Sequence, residues 1–109
     1  THIQFAPSSA AIDPSSSALL QSVADAATTC PGTLRIEGHT DSMGSANANE
    51  LLGDARAEAV RDALIARGVP AERLLAEGFG ARKPIDDNST AEGRAHNRRI
   101  EIRVVRASD

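Results

Sequence analysis

The sequence has 109 residues, 40% of them hydrophobic and 25% charged, a balance that suits one globular domain and excludes a disordered chain. Twelve basic against fifteen acidic side chains leave a net charge of -3, so the broad basic surface that nucleic-acid binding needs is missing. Two Phe without Tyr or Trp remove the usual stacking platforms, and a single Cys excludes both an internal disulfide and a multi-cysteine zinc site.

The chain opens on Thr1 with no signal-peptide pattern, as expected of a domain cut from a longer protein whose leader or anchor lies elsewhere. No apolar run approaches the roughly 20 residues that span a bilayer. Ile3 and Phe5 alternate with polar neighbours and predict a short half-buried strand. A polar loop leads to Asp13-Pro14, a helix start in which Asp caps and Pro loses no needed donor. Leu19, Leu20, Val23, Ala24 and Ala27 give that helix one apolar stripe, and Cys30-Pro31-Gly32 stops it.

Leu34, Ile36 and Gly38 alternate with Arg35, Glu37 and His39 in a second strand. A long helix follows from about Ala46 to Arg67, with Leu52, Ala55, Ala59, Val60, Ala63 and Leu64 as its apolar positions. Gly68 and Pro70 end it. Leu74 to Gly80 reads as a third strand. Ser89 and Glu92 have the spacing of a capping box, which predicts a short helix over Thr90 to Asn97. Ile100, Ile102 and Val104 alternate in a last strand. The order βαβαβαβ implies a single α/β domain of two layers, a mixed sheet packed against helices, with a core over about residues 2–105.

Three segments carry residues with chemistry. Gly38-His39-Thr40-Asp41-Ser42-Met43-Gly44 sits where a strand runs into a loop, a common place for ligands. Asp41 there is either a ligand carboxylate or the cap of its own turn. Arg56 lies at the edge of a helical apolar stripe. It is either a guanidinium for a carboxylate or an exposed arginine paired with Asp54 or Glu58. Gly93 to Arg99 holds three arginines in a short stretch, either an anion patch or a solvated helix end. Catalysis is disfavoured. His39, Asp41 and His96 match no standard metal spacing, and Ser42 and His96 lack a nucleophile elbow.

Together the segments resemble one family. The matching residues are Ile36-Glu37-Gly38-His39-Thr40-Asp41, Gly44, Asn49-Glu50, Leu52, Ala55-Arg56-Ala57 and Val60. Leu64, Gly68-Val69, Gly78-Phe79-Gly80, Pro84-Ile85 and Asn88 follow. The last match is Glu92-Gly93-Arg94-Ala95 with Asn97-Arg98-Arg99-Ile100-Glu101. They are similar to the OmpA-like domain, a peptidoglycan-binding module of the bacterial cell envelope. The resemblance implies non-covalent binding of the diaminopimelate in the peptidoglycan stem peptide, with no cofactor, no metal and no catalysis. It assigns Asp41 to the ligand's ammonium and Arg56 to its carboxylate, an arrangement whose charges complement each other. It adds Asn49 to the pocket, backbone groups around Thr40 and Asp41, and Arg98 as support or contact. Residue 8, an asparagine in some members, is Ser8 here. A serine common before the helical arginine is Gly53 here, expected to loosen the helix. That glycine is the motive for a second reading, the same fold used as a protein scaffold; a metal-dependent hydrolase is a remote third. The resemblance further implies a periplasmic or envelope location and membrane contact only through the rest of the parent protein.

Overall fold

The computed structural model of the protein describes residues 3, 5, 9–29 and 32–105. The expectations for Ser8 and Cys30 fall outside these residues. Three helices and three strands are described: α1 Ser17–Thr29, β1 Thr33–His39, α2 Ala46–Ala66, β2 Leu74–Gly80, α3 Ala91–Asn97 and β3 Arg99–Val105. The strands form one mixed sheet in the order β2-β1-β3. β1 runs parallel to β2 and antiparallel to β3. This is the expected two-layer α/β architecture. Of the expected first strand, Ile3 is buried in the core and Phe5 makes a single antiparallel bridge to Ile12.

Local chemistry explains each element. Asp13 caps a single 3-10 turn, Pro14–Ser16, by accepting from the Ser15 N–H at 2.9 Å, and α1 continues from that turn. Ser45 caps α2 by accepting from the Ala48 N–H at 3.1 Å. At the other end of α2, the Val69 N–H reaches the Leu64 carbonyl and the Gly68 N–H reaches that of Ile65. Gly68 takes a φ of 99° there, the left-handed stop that an L side chain resists. The α3 cap is Thr90, which accepts from the Gly93 N–H at 2.9 Å. The capping-box reading of Ser89 and Glu92 was therefore one residue early.

The core lies between the helices and one face of the sheet. Leu34, Ile36, Leu74 and Ile100 from the strands meet Leu20, Ala24 and Ala27 of α1 and Ala57, Val60 and Leu64 of α2. The buried stripe of α2 is not quite the expected one. Ala55 is exposed, while Asn49, Gly53 and Arg56 face inward above Ala57 and Val60. Two glycines make this possible. A Cβ on Gly53 would stand 2.8 Å from the Gly38 carbonyl oxygen and 3.1 Å from the Gly80 nitrogen. A Cβ on Gly38 would overlap the Gly53 carbonyl. Gly53 therefore sets the close seat of α2 on the sheet, and the helix runs through it unbroken. The expectation of a loosened helix is corrected by this contact.

Candidate functional site

β1 leaves the sheet at His39 and delivers Thr40 and Asp41 above its carboxyl end. Thr40 stays tied to β2, its N–H donating to the Gly80 carbonyl at 2.8 Å. Its hydroxyl donates to the Asp41 carbonyl at 2.9 Å. Both Thr40 donors are thus occupied, and what remains for a ligand is acceptor capacity. The Asp41 side chain bends back on its own loop, where Oδ1 accepts from the Met43 N–H at 2.9 Å. The turn-capping reading and the site reading of Asp41 hold together, because Oδ2 points elsewhere. It accepts from Arg98 Nη1 at 2.7 Å.

α2 supplies the opposite wall. Asn49, Leu52 and Arg56 recur along one face and line the same cavity as Thr40, Asp41 and Met43. Arg94 of α3 and Arg98, the residue that caps its carboxyl end and whose N–H donates to the Arg94 carbonyl, close it. The cavity has a volume of about 240 Å³. Of the residues assigned to the site, Asp41, Arg56, Thr40, Asn49 and Arg98 thus share one cavity, while Ser8 lies outside the described residues. Asn49 is largely buried and lines the cavity, and its side-chain amide makes no hydrogen bond to any described residue.

Arg56 is not the exposed helical arginine paired with Asp54 or Glu58. It is only 2% exposed, with Nε donating to the Ser9 carbonyl at 2.9 Å and its guanidinium 5.0 Å from the centre of the Phe5 ring. Burial, and then the like charge of Arg98, pull its pKa below the ordinary arginine value, against the opposing pull of Asp41. A buried guanidinium held this way is rigid before any ligand arrives.

The Asn97-Arg98-Arg99 run divides its labour. Asn97 is fully buried and makes four hydrogen bonds to Ile85, Asp86 and Asn88, fastening the 85–88 loop to α3. Arg98 turns into the cavity. Arg99 turns to the outer face of the sheet, donating to Glu101 at 2.6 Å and to the Lys83 carbonyl at 2.8 Å. The metal grouping of His39, Asp41 and His96 does not form. His39 faces Glu37 and Glu101, His96 faces Asp86, and no three metal-binding side chains converge among the described residues. Sequence reasoning missed Arg94, Met43 and Leu52 as cavity residues; the four-residue step from Arg94 to Arg98 was the signal available for Arg94.

The sequence profile of the OmpA family matches residues 4–98. The chain belongs to the OmpA family. It is 42% identical to the probable lipoprotein YiaD of Escherichia coli over 93% of its own length and 47% of that protein's. It is also 42% identical to the peptidoglycan-binding protein ArfA of Mycobacterium tuberculosis, over 94% of this chain and 32% of that protein. The chain thus spans about half or less of these relatives. Among solved structures, the peptidoglycan-associated lipoprotein of Burkholderia pseudomallei superposes with a TM-score of 0.86 at 34% identity, covering 92% of this chain and 86% of that one. These relatives are envelope proteins, and they place the OmpA-family domain in the cell envelope. No helix among the described residues is long and apolar enough to cross a membrane.

Proposed function

We propose that this OmpA-family domain binds peptidoglycan non-covalently through the diaminopimelate of the stem peptide and anchors a longer envelope protein to the cell wall. The observation that carries the reading is that Asp41 and buried Arg56 line one cavity together with Asn49, whose amide has no hydrogen-bond partner among the described residues. The free end of diaminopimelate is an amino-acid centre with one ammonium and one carboxylate. Asp41 is an acceptor for the ammonium. Each of its oxygens already has one protein donor, and a carboxylate accepts about four hydrogen bonds, so room remains. Arg56 meets the carboxylate, and the Asn49 amide serves either group. Relatives named for peptidoglycan binding and peptidoglycan association support the substrate class. Nothing in this chemistry asks for bond-breaking groups, so the site is a binding site. The scaffold reading loses its motive, because Gly53 has a packing role of its own.

The test is retention on purified cell walls, with the fold followed by circular dichroism. Wild type is retained. Asp41→Asn and Arg56→Lys each remove part of a charge-assisted contact worth about 1.5–3 kcal/mol, so affinity falls roughly ten- to a hundred-fold. A stem peptide with lysine in place of diaminopimelate binds as weakly as the variants do the native peptide. Undiminished retention of a folded Asp41→Asn/Arg56→Lys variant overturns the reading.

A further inference from the structure

The diaminopimelate contacts do not use all the charge that the cavity carries. Arg56, Arg94 and Arg98 line it, against the single carboxylate of Asp41. A ligand centre with one ammonium and one carboxylate is neutral and leaves that excess unchanged. Arg56 already responds to it, since Arg98 is the largest charge effect lowering its pKa. Arginines that serve the fold, such as Arg61, Arg73 and Arg99, each spend two or more donors on carboxylates or backbone carbonyls. Arg94 has a single side-chain hydrogen bond, from Nη1 to the Asn88 carbonyl at 3.0 Å, and no ion pair among the described residues. That bond fixes the half-buried guanidinium at the cavity wall and leaves Nε and Nη2 for a ligand. Arg98 spends Nη1 on Asp41 and keeps its other donors. The loop that holds Arg94 is itself pinned by Asn97, whose amide donates to Asn88 Oδ1 at 2.8 Å.

We propose that Arg94 and Arg98 form a second anion subsite, so that the cavity takes a ligand with a second free carboxylate beside the diaminopimelate centre, and that Arg94 reads its charge. The inference rests on the stem-peptide reading above and adds a specificity that this reading does not contain. A stem peptide offers two such groups, the α-carboxylate of its γ-linked glutamate and its carboxy-terminal carboxylate. Both present two oxygens to a guanidinium, and amidation of either removes the charge and one acceptor. A domain built in this way distinguishes amidated from non-amidated cell wall.

The experiment is a titration with a soluble diaminopimelate stem tripeptide in three forms: with both carboxylates free, amidated at the glutamate, and amidated at the carboxy terminus. Each is titrated against wild type, Arg94→Gln and Arg94→Lys. One amidated form binds wild type about ten-fold more weakly than the free peptide, and which one it is identifies the carboxylate. Arg94→Gln binds the free peptide as weakly as wild type binds that amide, and it no longer distinguishes the two. Arg94→Lys keeps part of the discrimination, since it keeps the charge and loses the fork. All three Arg94 forms still prefer diaminopimelate to lysine, because Asp41 and Arg56 are untouched. Equal wild-type affinity for all three peptides overturns the second subsite while leaving the proposed function standing. So does a loss on Arg94→Gln that is the same for free and amidated peptides. Absence of wild-type binding to any of them overturns the proposed function, and the subsite with it.

Discussion

The domain carries two clusters of charge, one on the outer face of its sheet and one in the cavity above the end of β1, and they are built differently. On the outer face, every arginine ends on a glutamate. Arg35 and Arg103 converge on Glu37 at 2.9 and 3.3 Å, Arg103 also reaches Glu101 at 2.8 Å, and Arg99 reaches Glu101 at 2.6 Å. The strand register makes this a ladder, with Arg35 opposite Arg103, Glu37 opposite Glu101 and His39 opposite Arg99. In the cavity, three arginines stand with a single aspartate that only Arg98 bonds, and the Asn49 amide has no hydrogen-bond partner among the described residues. Charge that is closed on itself stabilises a fold. Charge left in excess in a concave, half-dry place is a standing cost to folding that a ligand of opposite sign relieves. The contrast separates a cluster closed within the fold from the one proposed to bind.

The comparison breaks if the two clusters respond alike to loss of a charge. The largest effect is expected on the outer face. Glu37→Ala removes the acceptor shared by Arg35 and Arg103. Breaking a fully buried pair costs about 3–5 kcal/mol. Here Glu37 is 3% exposed, but Arg35 and Arg103 are 39% and 55% exposed and regain water, which lowers the cost to about 2 kcal/mol. Urea denaturation should show that loss, while the folded variant still binds cell wall as wild type does. A Glu37→Ala protein of unchanged stability, or one that is folded but unable to bind, would refute the division.

A pH titration sharpens it further. His39 is 1% exposed and stacks on Phe79 with ring centres 5.2 Å apart. Its Nδ1 has no hydrogen-bond partner among the described residues, and Nε2 lies 3.4 Å from Glu37 and 3.8 Å from Glu101. Burial, and then the charge of Arg99, push its pKa below 6.5, with the two glutamates opposing. The folded state therefore takes up the proton less readily than the unfolded chain. Stability is full above the ordinary value of 6.5 and falls as pH drops through it towards the lower folded value. The glutamates act in a separate window. Burial alone would raise both, but the surrounding cations hold both below 4.5, so their contribution fades only under more acidic conditions. The urea midpoint of wild type should begin to fall near pH 6.5, and that of His39→Gln should stay level until the glutamates titrate. Parallel curves for the two proteins would show that His39 plays no part.

Why some of this was legible in the sequence and some was not follows from where each signal lives. The bounds of β2 and the stop of α2 are local chemistry, glycines at a strand exit and the Gly68 and Pro70 stop, and both could be read directly. That Asp41 and Arg56 meet at one cavity could be read because short motifs carry them. The depth of Arg56 could not, since helical periodicity treats arginine as polar and places Ala55 inside instead. Gly53 looked like a weakness because helix propensity sees only the helix, and the Gly38 carbonyl beside it is fifteen residues away. Glu37 is buried, and its partner Arg103 comes from a neighbouring strand, which alternation along one strand does not contain. Arg94 and Arg98 announce their shared side by spacing, but not that Asp41 waits there.

The smallest expected effect is the most discriminating for the cavity. Arg94→Gln removes a positive charge that has no carboxylate partner among the described residues and stands in one cavity with Arg56 and Arg98. What it loses is one hydrogen bond to the Asn88 carbonyl at the half-exposed cavity wall. What it gains is relief of like-charge repulsion among the three arginines that line one cavity. Both terms are a few tenths to about 1 kcal/mol, and they oppose each other, so the net change should lie within about 0.5 kcal/mol of zero. Salt tells the two apart. Repulsion between arginines that open to solvent is screened over about 8–10 Å at moderate ionic strength, whereas the hydrogen bond barely responds. Raising sodium chloride from low to moderate concentration should therefore stabilise wild type more than Arg94→Gln. Glu37→Ala should respond in the opposite way to Arg94→Gln, because it creates unpaired cations and salt then helps it more than wild type. A salt response of Arg94→Gln equal to that of wild type would mean that the cavity carries no excess charge for a ligand to relieve.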